Sequence, residues 1–239
     1  MSEAPEHLVK SFDQELNRLR NMMTQMGGIV ENQVALAADA IMQRDAASAT
    51  RAVEEDPKVD ALEREVETFV IRLLALRQPV AGDLRQIVAA LKITGDLERI
   101  GDYAANVAKR SIVLAQFTLP YSLAGLAHMA RLVQGQLKSI IDALGDGDAD
   151  KAVEVWRSDQ VVDDIYNALF RELVTYMMED PRNITPCTHL LFIAKNLERI
   201  GDHATNIAEN LYYAVKGESL PDARPKGDMS VYAVIRPQE

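Results

Sequence analysis

The chain has 239 residues, enough for one large or two small domains, and 48% of them are hydrophobic, so real cores can be filled and a wholly disordered chain is excluded. Only 5% are aromatic while Ala, Leu, Glu, Arg and Met abound, the balance of a helical bundle rather than a sandwich or barrel. Acidic residues outnumber basic ones by 36 to 26, and a net charge of −10 repels a nucleic-acid backbone; the single cysteine, Cys187, excludes an intrachain disulfide.

The first ten residues lack the apolar core of a secretory signal. No later window approaches the ~20 apolar residues that span a bilayer. The expectation is a cytoplasmic protein without direct membrane insertion, reaching any membrane through a partner. Apolar residues recurring at three and four predict helices over about 6–44, 46–77, 81–115, 121–144, 148–179 and 185–216. Asp45 and Asp148 stand where N-caps belong. Pro79 and Pro181 end the second and fifth helices, because proline lacks the amide donor and clashes with the preceding turn. Gly145-Asp146-Gly147 is a tight connector between antiparallel helices, and Asn183-Ile184-Thr185 reads as a loop that begins a helix. Residues 217–239, with Pro221, Pro225 and Pro237, form a tail in which Val231 to Ile235 is a candidate docking run.

The chain also repeats itself. Leu97-Glu98-Arg99-Ile100-Gly101-Asp102 recurs as Leu197-Glu198-Arg199-Ile200-Gly201-Asp202, and the match continues through Ala104/Ala204, Asn106/Asn206 and Ala108/Ala208 at an offset of 100. Upstream the offset is 103, pairing Asp45 with Asp148, Ala49 with Ala152, Asp56 with Asp159 and Asp60 with Asp163. The change of offset falls in a proline-bearing loop, where length differences are tolerated. The expected fold is therefore all-α, two tandem pseudo-repeated three-helix bundles, over residues 1–117 and 118–216, followed by the tail 217–239.

Four acidic pairs sit at i, i+4: Asp56/Asp60, Glu98/Asp102, Asp159/Asp163 and Glu198/Asp202. Roughly five such pairs arise by chance on any helical chain this acidic, so the spacing alone carries little. Their recurrence at equivalent places in both repeats carries more. A helical wheel sets Glu98 and Asp102 opposite the stripe Ile93-Leu97-Ile100-Ala104-Val107, so the pairs are expected to face outward. Carboxylate-only sets suit hard cations such as magnesium, manganese or iron, with Asn106 and Asn206 as possible further oxygen donors; a solvated acidic face is the plain alternative.

Gly101 and Gly201 cost ~1 kcal/mol each in a helix interior relative to Ala, which points to a close approach by a neighbouring group. Leu84, Ile87, Val88 and Leu91 form an apolar stripe that needs a cover, either another subunit, as in a homodimer, or a neighbouring helix. His203 replaces Tyr103 and reads as a packing or edge residue, while Met22, Met23 and Met26 read as core.

The segment Arg77-Gln78-Pro79-Val80-Ala81-Gly82-Asp83-Leu84-Arg85, followed by the first Leu-Glu-Arg-Ile-Gly-Asp, resembles the PhoU family over about residues 6–216. The resemblance implies a cytoplasmic negative regulator of phosphate uptake and of the phosphate-starvation response, not an enzyme. Its implied partners are the phosphate transporter's ATPase subunit and a membrane sensor histidine kinase. It also implies multinuclear iron or zinc clusters on the four pairs, with Asp in place of Glu opening the pairs at Asp56 and Asp159. The alternatives are a metal-free helical adaptor and a di-metal oxidase, and against the second stands the lack of any Glu-x-x-His.

Overall fold

The computed structural model describes residues 4–119 and 122–220, with side chains from Phe12 onward; the run Val231 to Ile235 lies outside them. Among the described residues six helical arms are present, as the periodicity predicts: α1 (Ala4–Met42), α2 (Ala46–Arg77), α3 (Ala81–Leu114), α4 (Ala124–Asp146), an interrupted fifth arm made of α5 (Ala149–Arg157) and α6 (Asp159–Glu179), and α7 (Ile184–Lys216). No strand occurs among the described residues. Asp45 accepts a hydrogen bond from the Ala47 amide, and Asp148 from those of Asp150 and Lys151, so both N-caps form. Gly147 ends α4 at φ +67°, a left-handed turn that glycine adopts without strain.

The fifth arm departs from the expected single helix. At Ser158 the amide bonds back three residues to the Val155 carbonyl, and α6 starts at Asp159. At the equivalent step of the first half, Pro57 lies inside α2 directly after Asp56. Proline supplies no amide to the fourth residue back, so the hydrogen-bond ladder is disturbed at the same place in both halves, by different means. The first carboxylate of the pairs Asp56/Asp60 and Asp159/Asp163 thus sits on a helix irregularity.

The helices α1, α2 and α3 form one bundle, and α4, α5/α6 and α7 the other. They are joined chiefly along α3 and α7, and one continuous apolar cluster runs through both, including Met26, Ile93, Leu97, Ile100, Leu137, Ile193 and Leu197. Matched residues from the two repeats meet across this seam. Asp96 Oδ1 receives His203 Nδ1 at 2.8 Å, and the rings of Tyr103 and His203 lie 5.6 Å apart. His203 is therefore a residue of the seam, and so is Asn206, whose Nδ2 reaches Asp96 Oδ1 at 3.4 Å.

The seam opens at each end into a groove, and the two grooves differ. One, lined by Ala40, Ile41, Ser111 and Leu114, is closed to about 10 Å³ by Leu123 and Arg44. Arg44 donates to the carbonyls of Leu114 and Phe117. At the other end Arg20, Gly147 and Ala214 hold the places of Leu123, Arg44 and Leu114, and the groove measures about 310 Å³.

The stripe Leu84-Ile87-Val88-Leu91 is not one surface. Ile87 is fully buried and Leu91 packs on the core, while Leu84 and Val88 remain exposed at 41% and 40%. The wheel fails because α3 is wrapped by α1, α2 and α7, so its core-facing arc is wider than one stripe.

Candidate functional site: two acidic sets

Burial corrects the expectation that the four pairs face outward. In the second half Asp159, Asp163 and Glu198 are 2%, 4% and 4% exposed, and Asp202 is half-buried. In the first half Asp56, Asp60, Glu98 and Asp102 are all half-buried. The carboxylates lie along the contact of α2 with α3 and of α6 with α7, the faces that a single-stripe wheel leaves to solvent.

The first set is mutually repulsive. Burial pushes the Glu98 carboxyl up to about 6, with Asp102 the next cause and Glu63 and Asp60 adding to it; Arg99 opposes. Asp56 is likewise raised, first by burial, then by the charges of Asp102 and Asp60 against a lowering hydrogen bond from Gln33. Burial also raises Glu63, together with the charges of Glu67 and Asp60. Glu63 thus belongs to the set although the pair spacing passed over it; standing three residues after Asp60, it shares that face of α2. The nearby cation is Arg99, 3.5 Å from Glu98 and 3.4 Å from Asp102 but 58% exposed, and such solvated pairs contribute little.

The second set is paired from within. Lys195 Nζ lies 2.9 Å from both Glu198 oxygens and 4.9 Å from the centre of the Tyr166 ring. These positions correspond to Gly95 and Glu63 in the first half. Neither Lys195 nor Tyr166 is marked by the acidic spacing, and only alignment of the repeats brings them out.

One further repeated feature explains the paired glycines. Gln33 on α1 and Gln136 on α4 are related by the same offset of 103 and are both buried. A Cβ on Gly101 would meet Gln33 Oε1 at 3.0 Å, and one on Gly201 would meet Gln136 Oε1 at 3.3 Å. The glycines let a glutamine lie on the helix backbone. Gln33 Nε2 then donates to Asp56 Oδ1 at 3.3 Å, and Gln136 Nε2 to Ser158 Oγ at 2.8 Å. Both Oε1 atoms are buried with no hydrogen-bond partner.

Among the described residues, no three Asp, Glu, His or Cys side chains stand together so as to hold a metal ion as placed. The donor chemistry nonetheless separates the halves. The first set, all oxygen, with its charges in mutual repulsion and an unsatisfied amide oxygen behind Asp56, suits a hard cation. The second set does not, since the Lys195 ammonium already lies on Glu198. Asn106 is exposed, and Asn206 donates to Asp96 across the seam.

The family model described as "PhoU domain" matches twice, over residues 23–111 and 126–211. The chain belongs to the PhoU family. The phosphate-specific transport system accessory protein PhoU homolog of Caulobacter vibrioides is 52% identical over 225 residues, covering 94% of this chain and 98% of that protein. The homolog of the same name from Rhizobium meliloti is 48% identical, covering 94% and 95%. Among solved structures, PhoU from Pseudomonas aeruginosa superposes with a TM-score of 0.84 at 42% identity, covering 87% of this chain and all of that one. The phosphate transport system regulatory protein PhoU from Streptococcus pneumoniae gives 0.81 at 31%, covering 87% and 99%.

Proposed function

We propose that this chain is a non-catalytic accessory protein of a phosphate-specific transport system, which restrains phosphate uptake and the phosphate-starvation response by binding. The observation that carries this reading is likeness over most of the chain, in both halves, to proteins named as accessory or regulatory components of phosphate transport. No helix among the described residues is long and apolar enough to cross a membrane, so the partners are met through the surface of the bundles. Those partners are the transporter's ATPase subunit and a sensor histidine kinase, both met in the cytoplasm. A binding relay works only by differential affinity for partner states. Deleting the gene is expected to leave phosphate-starvation genes on in rich phosphate, and deleting the kinase as well to silence them; constitutive expression in the double deletion would place the chain elsewhere.

Two features of the site enter this reading. The exposed Leu84 and Val88 offer an apolar contact for a second copy, so sedimentation at micromolar concentration is expected to show a homodimer that Val88→Asp weakens. A monomer at all concentrations would remove that element. In the first half Asp56, Asp60, Glu98 and Asp102, with Glu63, would hold a metal ion whose positive charge offsets their repulsion. Glu98→Ala with Asp102→Ala is expected to abolish metal uptake by that half, measured on untagged protein by elemental analysis; unchanged uptake in a variant lacking all four pairs would sink the metal reading.

A further inference from the structure

The two acidic sets occupy matched places, yet their charges differ. Across equivalent positions the first half carries Asp56, Asp60, Glu63, Glu98 and Asp102, with Gly95 contributing no side chain. The second carries Asp159, Asp163, Tyr166, Glu198 and Asp202, with Lys195. One carboxylate is exchanged for an aromatic ring and one glycine for an ammonium, a difference of two formal charges.

That ammonium is held in place on two sides. It makes charge-assisted contacts of 2.9 Å to both oxygens of Glu198, whose side chain is 5% exposed, and it lies over the Tyr166 face. Lys195 itself is 29% exposed, so its charge is more desolvated than that of Arg99 in the first half at 58%. An ion entering the second set must displace a lysine that is stacked on Tyr166, hydrogen-bonded to Glu198 Oε1 and ion-paired at Oε2, and then share a site with its charge. An ion entering the first set meets one more carboxylate, with the solvated Arg99 in contact and the weaker influences of Lys109 on Asp56 and Arg64 on Glu63. Gln33, 0% exposed, adds a buried amide oxygen without a partner behind Asp56; Gln136 has the same feature, so the lysine is what sets the halves apart. The Lys195 ammonium marks, by pseudo-symmetry, a place in the first half where positive charge is wanted.

We infer that Lys195 is a built-in counter-cation that closes the second acidic set, so that this chain takes up a hard divalent cation through the first set alone, kept open by Gly95. The inference rests on the reading of the first set as a cation site. Its chemistry is simple competition between an internal ammonium and an external ion for the same carboxylates, and affinity for hard cations rises with the number of charged ligands.

The halves can be exchanged in the full-length, untagged chain. Gly95→Lys introduces the lysine into the first set, and a Cβ at Gly95 meets nothing within 4 Å, so the helix accepts it. Lys195→Gly removes it from the second, and Lys195→Met removes the charge while keeping the bulk over Tyr166. Each protein is titrated with Mn²⁺ alone, the free ion being followed by its paramagnetic resonance signal, and folding is checked by circular dichroism. The expected bound Mn²⁺ is doubled relative to the parent in Lys195→Gly or Lys195→Met and falls at least tenfold in Gly95→Lys. Parent stoichiometry in both Lys195 variants, with loss in Gly95→Lys, overturns the role of Lys195 while the first-set reading stands. A parent whose bound Mn²⁺ is halved by Glu198→Gln with Asp202→Asn also overturns it, because the second set is then open. No Mn²⁺ bound by the parent at millimolar concentration overturns the first-set reading itself.

Discussion

In the first half the acidic set is half-buried, burial and neighbouring carboxylates raise Asp56, Glu63 and Glu98, and an exposed arginine is the partner of Glu98 and Asp102; in the second half three of four carboxylates are buried and a lysine lies on Glu198. The seam grooves differ as well, but in the other direction. The groove whose floor includes Leu114 is closed, and the groove whose floor includes Ala214 is open. Duplication supplied one backbone plan, and substitutions at matched positions then made one half electrostatically unsatisfied and the other end of the seam sterically unfilled. Helix packing tolerates such divergence, because the apolar contacts that fix the fold lie at other matched pairs, such as Leu97/Leu197 and Ile100/Ile200, which are buried in both.

Breaking the comparison at the grooves gives the largest effect. Leu114 is 5% exposed and closes its groove, so Leu114→Ala is expected to lower unfolding free energy by about 3 kcal/mol, measured from denaturant midpoints. Ala214→Leu, the reverse change at the open groove, is expected to be neutral or stabilising by about 1 kcal/mol. Equal losses from the two substitutions would show that the grooves are not true counterparts.

The lysine comes next. Lys195→Met leaves Glu198 buried without its ammonium, and removal of one partner from a largely buried pair costs roughly 2 kcal/mol here, below the fully buried case because Lys195 is 29% exposed. Gly95→Ala at the matched position adds a Cβ into open space and is expected to gain ~0.5–1 kcal/mol from helix propensity. Thermal unfolding in the presence of a chelator compares the two without interference from bound ions.

Glu98 sharpens the contrast through pH. Its carboxyl stands at about 6 in the fold against 4.5 for the free side chain, so the folded state holds the proton more tightly than the unfolded state. Stability from this group is fully present below about pH 4.5 and is lost as pH rises through 6. Above pH 7 the ionised carboxylate is a net cost, reduced by its 21% exposure to roughly 1 kcal/mol. Glu98→Gln is therefore expected to stabilise the chelator-treated protein by about that amount at pH 7.5, and to lose the advantage at pH 4.5. A gain independent of pH would mean that the ionised carboxylate, held under burial and beside Asp102, is not its source.

The helices, the N-caps at Asp45 and Asp148 and the repeat were all legible in the sequence, because periodicity, capping residues and constant offsets are local signals. The four pairs were legible as positions but not as environments. A wheel drawn against one core stripe cannot know that α3 and α7 are enclosed on several sides, so it turned Asp159, Asp163 and Glu198 toward water when tertiary packing buries them. Glu63, Gln33, Gln136 and Lys195 escaped for a different reason. Gln33 and Gln136 gain their meaning from residues on other helices, whereas Glu63 follows Asp60 by three and Lys195 precedes Glu198 by three, spacings that a search for acidic pairs at four passes over. The interruption at Ser158 has no sequence marker, whereas its counterpart at Pro57 was open to reading.

The smallest effect concerns the glycines, and it tests whether the glutamines are held as tightly in both halves. Replacing glycine by alanine in a helix interior gains ~1 kcal/mol from propensity when the new Cβ is free of contacts. At Gly101 the Cβ would stand 3.0 Å from Gln33 Oε1, pressing on a fully buried side chain whose amide nitrogen is bonded to Asp56. Moving Gln33 sacrifices that bond and shifts the Asp56 carboxylate, at a cost of about 1–2 kcal/mol, so Gly101→Ala is expected to be mildly destabilising. At Gly201 the distance is 3.3 Å, and the neighbour Gln136 is bonded to the Ser158 hydroxyl, a group that can turn with it. There a shift of a few tenths of an ångström relieves the contact, and Gly201→Ala is expected to be neutral within about 0.5 kcal/mol. The contrast is checked by paired denaturant titrations. If both alanine variants gain the full propensity increment, neither glutamine is pinned against its helix and the link from α1 to Asp56 is loose.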